Sequence, residues 1–228
     1  MSENTSSGGL NRRRFVQAGG AFLFAAQCPV TFSRKAHAAG AGSMMNSFVR
    51  IDPNNVITLL ANNSEFGNGA YTVMSMMLAE ELDVDYRSIA LEAAPTTPEY
   101  YSPLFREYLT AGSVTTGSTF MPMRTAGAKA RAMLLEAASR DWQVPTDELG
   151  THGGQVTHAG SGRSSTYGEL LETIHRLDIQ PPETVTLKDP SEFAILGKPA
   201  RRYEGAGKVD GTAQFGIDIK LPGMLYGA

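Results

Sequence analysis

Residues 56–72, VITLLANNSEFGNGAYT, decide how the surrounding chain folds. The stretch begins with an apolar run at residues 56–61, which is typical of a buried strand. It ends where residues 71–82 begin, and there the apolar side chains recur at the spacing of a helix. Between the two, a glycine lies on either side of Asn68, in a segment that we call the glycine loop (residues 65–69). The sequence therefore predicts a strand, a tight turn and a helix in direct succession.

The glycine loop is suited to holding a ligand. Glycine adopts positive φ angles and lets a backbone come close to another group. The first turn of a helix offers N–H groups to anionic or polar ligands. An alternative stays open, because Gly67 and Gly69 would also meet the backbone requirement of any tight turn. The loop lacks the third glycine of the dinucleotide-binding fingerprint, so that ligand class is not indicated.

A second polar segment precedes the longest predicted helix. Residues 115–118, Thr-Thr-Gly-Ser, come just before a helix predicted at residues 121–140, with Pro122 near its first turn. One hydroxyl of this segment could serve only as a helix N-cap, which is the alternative to a ligand contact. The helix is predicted to bury one apolar face, and its small residues would let another backbone approach closely. That face comprises Met123, Ala126, Ala130, Met133, Leu134, Ala137 and Ala138.

The rest of the chain alternates short strands with turns. Strands are predicted at residues 48–51 and 89–94, and a hairpin is predicted around residues 155–162. Thr166 and Glu169 have the spacing of a capping box, which begins a further helix.

Charged residues of the helical segments are predicted to face solvent. The acidic run Glu80, Glu81, Asp83 and Asp85 is interpreted as a solvated face. Arg124 on the long helix is also interpreted as solvated, and contact of one of this helix's basic side chains with a ligand phosphate is the alternative. Catalytic carboxylates need an enclosed pocket that shifts their pKa values, and the sequence indicates none here. No catalytic residue is therefore predicted in this chain.

The composition argues against several kinds of protein. A net charge of −3 gives no support for nucleic acid binding, which requires a basic face. The single cysteine, Cys28, excludes a disulfide framework and an iron–sulfur cluster held by this chain alone. His152, His158 and His175 do not have metal-ligand spacing and are interpreted as surface or hydrogen-bonded residues. No metal site is predicted.

The first 38 residues have the pattern of an export signal. Residues 11–17, NRRRFVQ, resemble the twin-arginine motif, and an apolar run follows at residues 21–26. Ala36-His37-Ala38 then forms a small-x-small cleavage pattern. We expect a twin-arginine signal peptide at residues 1–38 and a linker at residues 39–46, with a periplasmic mature protein. A disordered basic tail or an uncleaved anchor are the alternatives.

Three segments resemble the molybdenum hydroxylases, the xanthine dehydrogenase and aldehyde oxidase family. EFGNGAYT, at residues 65–72, resembles that family's Glu-Met-Gly-Gln-Gly-x-x-Thr segment, with Asn68 in place of the usual glutamine. The segment at residues 115–118 resembles its Ser/Thr-Gly-Gly-Ser turn and has one glycine of the pair. Residues 195–226 resemble the opening of its hammerhead domain. More closely, the chain resembles the start of the large subunits of isoquinoline 1-oxidoreductases and periplasmic aldehyde dehydrogenases.

The resemblance implies a fold and a set of cofactor contacts. It implies an α/β fold of two-layer, α+β type, with a molybdopterin-binding-type domain at residues 47–185. Residues 186–228 would be the first strands of a truncated hammerhead domain. The expected cofactor contacts, carried over from the two matching segments, are Gly67, Asn68, Gly69, Ala70, Thr116, Gly117 and Ser118.

The resemblance also implies an activity. Such enzymes hydroxylate a carbon of an N-heterocycle or aldehyde with oxygen from water, using molybdopterin, expected here in its cytosine dinucleotide form. Electrons would pass to a small iron–sulfur subunit and then to an acceptor such as a cytochrome c, with membrane association through these partners. The family's general base would lie beyond Ala228, so we expect an incomplete chain that is inactive alone. The alternative is a non-catalytic periplasmic interaction or structural module.

Overall fold

A four-stranded mixed sheet is built around the strand that leads into the glycine loop. The structure is a computed structural model that describes residues 42–227. In chain order and in spatial order, the strands are β1 (Ser43–Asn46), β2 (Val49–Ile51), β3 (Ile57–Ala61) and β4 (Ala90–Ala93). The first three strands pair antiparallel, whereas β3 and β4 are parallel. The strands predicted at residues 48–51 and 89–94 are confirmed.

Helix α1 (Ala70–Leu82) is the crossover that joins β3 to its parallel neighbour β4. Parallel strands require such a connection, and a helix is the usual one. The side chains that the helical spacing predicts to be internal are all fully buried: Met74, Met77, Leu78 and Leu82. They form one hydrophobic cluster with residues of β2 and β3, so α1 lies over the sheet. The predicted two-layer α/β architecture is confirmed.

Helix α2 (Thr115–Trp142) packs against α1 and is the longest element. It begins at Thr115 rather than Met121, so Pro122 lies inside the helix and not in its first turn. Gly127 forms the close approach, because a Cβ atom added there would lie 2.7 Å from the carbonyl oxygen of Leu78. The predicted close packing at the small residues is confirmed. No helix among residues 42–227 has both the length and the apolar character needed to cross a bilayer.

A second, three-stranded sheet follows α2. Strands β5 (Leu149–His152), β6 (Gln155–His158) and β7 (Arg163–Thr166) pair antiparallel in chain order, as the predicted hairpin requires. Helix α3 (Leu170–Arg176) comes next, after the predicted capping box. In that box Thr166 N–H donates to the Glu169 carboxylate at 2.8 Å, and Glu169 N–H donates to the Thr166 hydroxyl at 3.2 Å.

The prediction of a solvated acidic face was wrong for its first two members. Glu80 and Glu81 are 1% and 0% exposed, and Arg124 is 5% exposed. Glu80 accepts backbone N–H groups of residues 194–196 at 2.7–3.0 Å, and Glu81 forms an ion pair with Arg124. Residues more than 100 positions further along the chain thus cover Glu80. The helical spacing of the acidic residues does not predict such a distant contact.

The expected linker ends earlier than predicted. Residues 43–46 form strand β1, which is held at the sheet edge by antiparallel pairing with β2. The small side chains that suggested a linker end before this strand, whose Met45 is 1% exposed. The expected signal peptide and the residues up to 41 lie outside the described residues.

The strands expected after residue 186 are not observed. Residues 186–227 form turns, 3₁₀ segments and the short helix α4 (Gly205–Asp210). Ile195 and Leu196 pack against the core, whereas Val209, Ile217 and Leu225 further on are 88%, 89% and 89% exposed. A strand needs a neighbouring strand to satisfy its backbone groups, and the described residues place none beside this segment. The described part of this segment therefore contains no strand, and its assignment to a hammerhead domain stays a prediction.

Candidate functional site

The glycine loop makes the turn from β3 into α1 in left-handed backbone geometry. Gly67 has φ +103° and Gly69 has φ +83°, a region that favours glycine over residues with a Cβ atom. Gly69 immediately precedes α1, and no side chain caps the helix from that position. The tight turn predicted between strand and helix is confirmed, and both glycines are required by its backbone.

The Glu65 carboxylate holds the loop in this shape. It accepts the N–H groups of Gly67 at 2.6 Å, Gly69 at 3.2 Å and Tyr71 at 3.3 Å, and its side chain is 8% exposed. The sequence analysis quoted Glu65 without giving it a role. The signal that was available is a carboxylate just before a helix, where the helix dipole and free N–H groups favour an anion.

Glu65 also affects the nearby phenol. Partial burial, and secondarily the charge of Glu65, raise the pKa of Tyr71 above its ordinary value. The Tyr71 hydroxyl therefore stays protonated at neutral pH and remains available as a donor.

Asn68 projects from the exposed tip of the loop. Its Oδ1 atom accepts the N–H of Ala70 at 3.2 Å, which closes a local turn at the start of α1. Among the described residues, its Nδ2 group makes no hydrogen bond. The side chain can thus orient the loop with one atom and offer two N–H donors from the other.

The predicted polar segment forms the first turn of α2 rather than a turn before it. Residues 115–118 are helical, and the N-cap position is Val114, whose side chain cannot cap. The Ser118 hydroxyl donates back to the Thr115 carbonyl at 3.3 Å, so it does not cap an N–H group. The N-cap alternative for this segment was therefore wrong, and no side chain of residues 42–227 forms a capping hydrogen bond at the N-terminal end of α2.

One cavity of about 270 Å³ brings the two predicted segments together. It lies between the first turns of α1 and α2. Its lining consists of Asn68, Gly69, Ala70, Val73, Ser113, Thr115 and Thr116. Four of the seven sequence-predicted contacts are in this lining, whereas Gly67, Gly117 and Ser118 lie in the same turns but outside it.

The cavity has the chemistry of an anion site without a charged side chain. Its polar groups are an amide, three hydroxyls and backbone groups of two helix starts. The positive end of each helix dipole favours negative charge there. Its volume is below the range of about 300–1,000 Å³ for pockets that enclose a whole ligand. The lining therefore suits a phosphate-sized part of a larger molecule.

A segment from the far end of the chain crosses the base of the glycine loop. We call residues 201–204 the strap. The hydroxyl of Tyr86 donates to the Arg201 carbonyl at 2.7 Å, and Tyr203 N–H donates to the Thr72 hydroxyl at 2.9 Å. The Arg202 guanidinium donates to the Gly67 carbonyl at 2.9 Å. Sequence reasoning missed this contact, because no local pattern links segments about 135 residues apart.

Comparisons with known proteins agree on a cofactor-binding family. The sequence profile of the molybdopterin cofactor-binding domain matches residues 16–219. Isoquinoline 1-oxidoreductase subunit beta of Brevundimonas diminuta is 33% identical over 259 aligned positions, covering 95% of this chain and 33% of that protein. The membrane-bound aldehyde dehydrogenase [pyrroloquinoline-quinone] of Gluconacetobacter polyoxogenes is 28% identical, covering 78% of this chain and 22% of its own length.

Among solved structures the similarity is weaker. The crystal structure of quinoline 2-oxidoreductase from Pseudomonas putida 86 matches 60% of this chain and 17% of its own, at 18% identity and a TM-score of 0.44. The chain spans about a third or less of each of the three proteins. Because the profile match extends over most of the sequence, the chain belongs to the molybdopterin cofactor-binding domain family.

Proposed function

We propose that the cavity between α1 and α2 binds the phosphate-bearing part of a molybdopterin cofactor. The observation that carries the proposal is the convergence of two separate segments, residues 68–70 and 113–116, on one uncharged, donor-rich cavity. Among the described residues, no side chain caps the first turn of α2, so its N–H groups face the ligand space, whereas those of α1 are held by Glu65 and Asn68. The size and chemistry of the lining fit a phosphate group.

Individual residues take different roles in this proposal. Asn68 supplies its side-chain N–H groups, and Thr116 supplies a hydroxyl. Gly69 and Ala70 place their backbone in the lining, although their N–H groups are already bound by Glu65 and Asn68. Gly67 shapes the loop instead, because its N–H is already bound by Glu65. Gly117 and Ser118, which the sequence also predicted as contacts, remain weaker candidates outside the lining.

The complete protein is proposed to be the large subunit of a molybdenum hydroxylase. The bound cofactor would supply the metal centre at which an N-heterocycle or aldehyde is oxidised with oxygen from water. This chain would bind and orient the cofactor through its phosphate end, proposed to be that of the cytosine dinucleotide form. Support comes from the family membership and from the names of two relatives, an isoquinoline 1-oxidoreductase subunit and an aldehyde dehydrogenase.

Electron transfer and location complete the proposal. A small iron–sulfur subunit is the proposed electron acceptor, followed by a carrier such as a cytochrome c. The name of one relative, a subunit beta, supports a multi-subunit enzyme. The twin-arginine pattern at residues 11–17 supports export to the periplasm in folded form, after cofactor insertion.

The test measures molybdenum and molybdopterin per polypeptide in the native protein and its variants. Asn68→Ala and Thr116→Val should each weaken cofactor binding by up to about tenfold, the upper end of the usual effect of losing one hydrogen bond. Asn54→Ala is the matched control, because Asn54 is an exposed asparagine in the turn after β2. Full cofactor content in both site variants would contradict the proposed contacts. A native protein without molybdenum or pterin would favour the non-catalytic module.

A further inference from the structure

Arg202 is a charged residue from outside the glycine loop that bonds directly to the loop backbone. Its Nη2 atom lies 2.9 Å from the Gly67 carbonyl oxygen and 3.4 Å from Oε1 of Glu65. The same atom forms an ion pair with Glu204 at 2.8 Å. Arg202 does not line the cavity. Any effect on a ligand must therefore act through Glu65 and Gly67.

The role of Glu65 explains why the contact of Arg202 with the glycine loop matters. Its carboxylate binds the N–H groups of Gly67, Gly69 and Tyr71, and so it fixes the loop that forms one wall of the cavity. A carboxylate at that place would also repel an anion in the cavity. The guanidinium of Arg202 partly neutralises the negative charge of Glu65, because two opposite charges attract strongly at short distance where solvent is partly excluded.

The strap is anchored so that Arg202 is held in place. Tyr203 N–H donates to the Thr72 hydroxyl at 2.9 Å, and that hydroxyl donates to Glu204 at 3.2 Å. The Tyr203 hydroxyl donates to the Ile89 carbonyl at 2.9 Å. Thr72 is buried in the first turn of α1, directly below the glycine loop. The strap therefore contacts both the glycine loop, through Arg202, and the first turn of the helix that follows the loop, through Tyr203 and Glu204.

We infer that Arg202 is a positioning residue of the cofactor cavity, and that docking of the strap sets the glycine loop in its ligand-receiving shape. The inference rests on the proposed function, since the ligand it concerns is the phosphate-bearing part of the cofactor. The strap is the chain's own segment, so the site is completed by residues that lie about 130 positions beyond the glycine loop.

The test compares Arg202→Ala with Arg201→Ala in the native protein. Arg201 is the matched control, because its side chain is exposed and makes no hydrogen bond or ion pair with the described residues. Amide hydrogen exchange is measured on a peptide covering residues 65–71, and molybdenum and pterin are measured per polypeptide. Arg202→Ala should speed exchange and lower cofactor content, each about fivefold, the factor expected for one charge-assisted bond at a half-exposed site. Arg201→Ala should change neither.

The outcomes separate the inference from the proposed function. Unchanged exchange in Arg202→Ala would overturn the inference, whatever the protein binds. Faster exchange with full cofactor content would overturn it as well, because the loop shape would then not matter to the ligand. A wild-type protein that holds no molybdenum or pterin would instead contradict the proposed function itself.

A second pair of variants opens the strap without touching Arg202. Thr72→Val removes the hydroxyl that accepts the hydrogen bond from Tyr203 N–H, but it keeps the size of the side chain. Thr72→Ser keeps the hydroxyl. We expect Thr72→Val to reproduce the faster exchange and lower cofactor content, and Thr72→Ser to restore both. Equal behaviour of the two variants would assign the effect to packing at α1 and overturn the role of the strap.

Discussion

The Glu81 carboxylate and the Arg124 guanidinium form a buried ion pair of 2.7 Å, with side chains 0% and 6% exposed. This pair joins α1 to α2, the two helices whose first turns form the cavity. Arg124 also donates to the Lys188 carbonyl at 2.6 Å, and its guanidinium lies over the rings of Phe120 and Phe193. A single buried arginine thus ties both helices to the segment that follows them.

Removing one partner of this pair should strongly destabilise the protein. Glu81→Ala leaves the Arg124 charge buried without compensation, which costs about 3–5 kcal/mol in the free energy of unfolding. Urea unfolding followed by circular dichroism measures this loss. Asp141→Ala is the control, since its pair with Arg176 is 42% and 55% exposed and should contribute less than about 1 kcal/mol. Similar losses of unfolding free energy in both variants would show that the buried pair contributes no more to stability than the exposed pair.

Gly127 should be intolerant of even the smallest side chain. In Gly127→Ala the new Cβ would lie 2.7 Å from the Leu78 carbonyl oxygen and 3.0 Å from Cβ of Glu81. The helices would have to separate, and such overpacking costs about 1–3 kcal/mol. Thermal unfolding of the variant measures the cost.

The control for that prediction is Gly117→Ala in the same helix. A Cβ atom at Gly117 meets nothing within 4 Å. Alanine should therefore stabilise α2 by about 0.5–1 kcal/mol through its helix propensity. A stabilised Gly127→Ala variant would contradict the close approach of α1 and α2.

Glu80 should hold residues 194–196 in place. Its carboxylate accepts three successive backbone N–H groups, those of Ala194, Ile195 and Leu196, at 2.7–3.0 Å. Glu80→Ala should release that segment, raise its amide hydrogen exchange and lower the free energy of unfolding by about 1.5–3 kcal/mol. Glu172→Ala, at an exposed position of α3, serves as the control. Normal exchange at residues 194–196 in Glu80→Ala would contradict the role of Glu80.

Acid should open the strap. Partial burial would raise the pKa of Glu204, but a hydrogen bond with its own backbone, one from Lys208 and the charges of Arg202 and Lys208 lower it below its ordinary value. A carboxyl whose pKa is lower in the folded state stabilises that state above its unfolded pKa. This contribution is lost as pH falls through the lower, folded value.

The corresponding measurement is amide exchange of residues 65–71 against pH. After correction for intrinsic exchange, the rate should be flat from pH 7 to 5 and rise below about 4.3, the ordinary glutamate pKa. Glu204→Gln should remove this transition. A transition that persists in Glu204→Gln would assign acid opening to another carboxyl group.

The sequence predicted those parts of the fold that depend on local periodicity. The strand before the glycine loop, α1 with its buried methionines and the second hairpin all follow from spacing within about a dozen residues. Asn68 and Thr116 line the cavity and lie in segments that the family resemblance had singled out, and their role as cofactor contacts stays a prediction. Local pattern cannot show which distant segment covers a helix, so Glu80, Glu81 and Arg124 were misplaced in solvent. The same limit hid Arg202.

The position of Glu80's partners in the sequence also constrains the order in which the protein folds during synthesis. The backbone groups that its carboxylate binds lie 114, 115 and 116 residues further along the chain. When α1 leaves the ribosome, the backbone N–H groups that Glu80 binds have therefore not yet been synthesised. Contacts of such high sequence separation form late and slow the folding of a domain. We expect the nascent chain to complete α1 and its cavity only after residue 196 has left the exit tunnel.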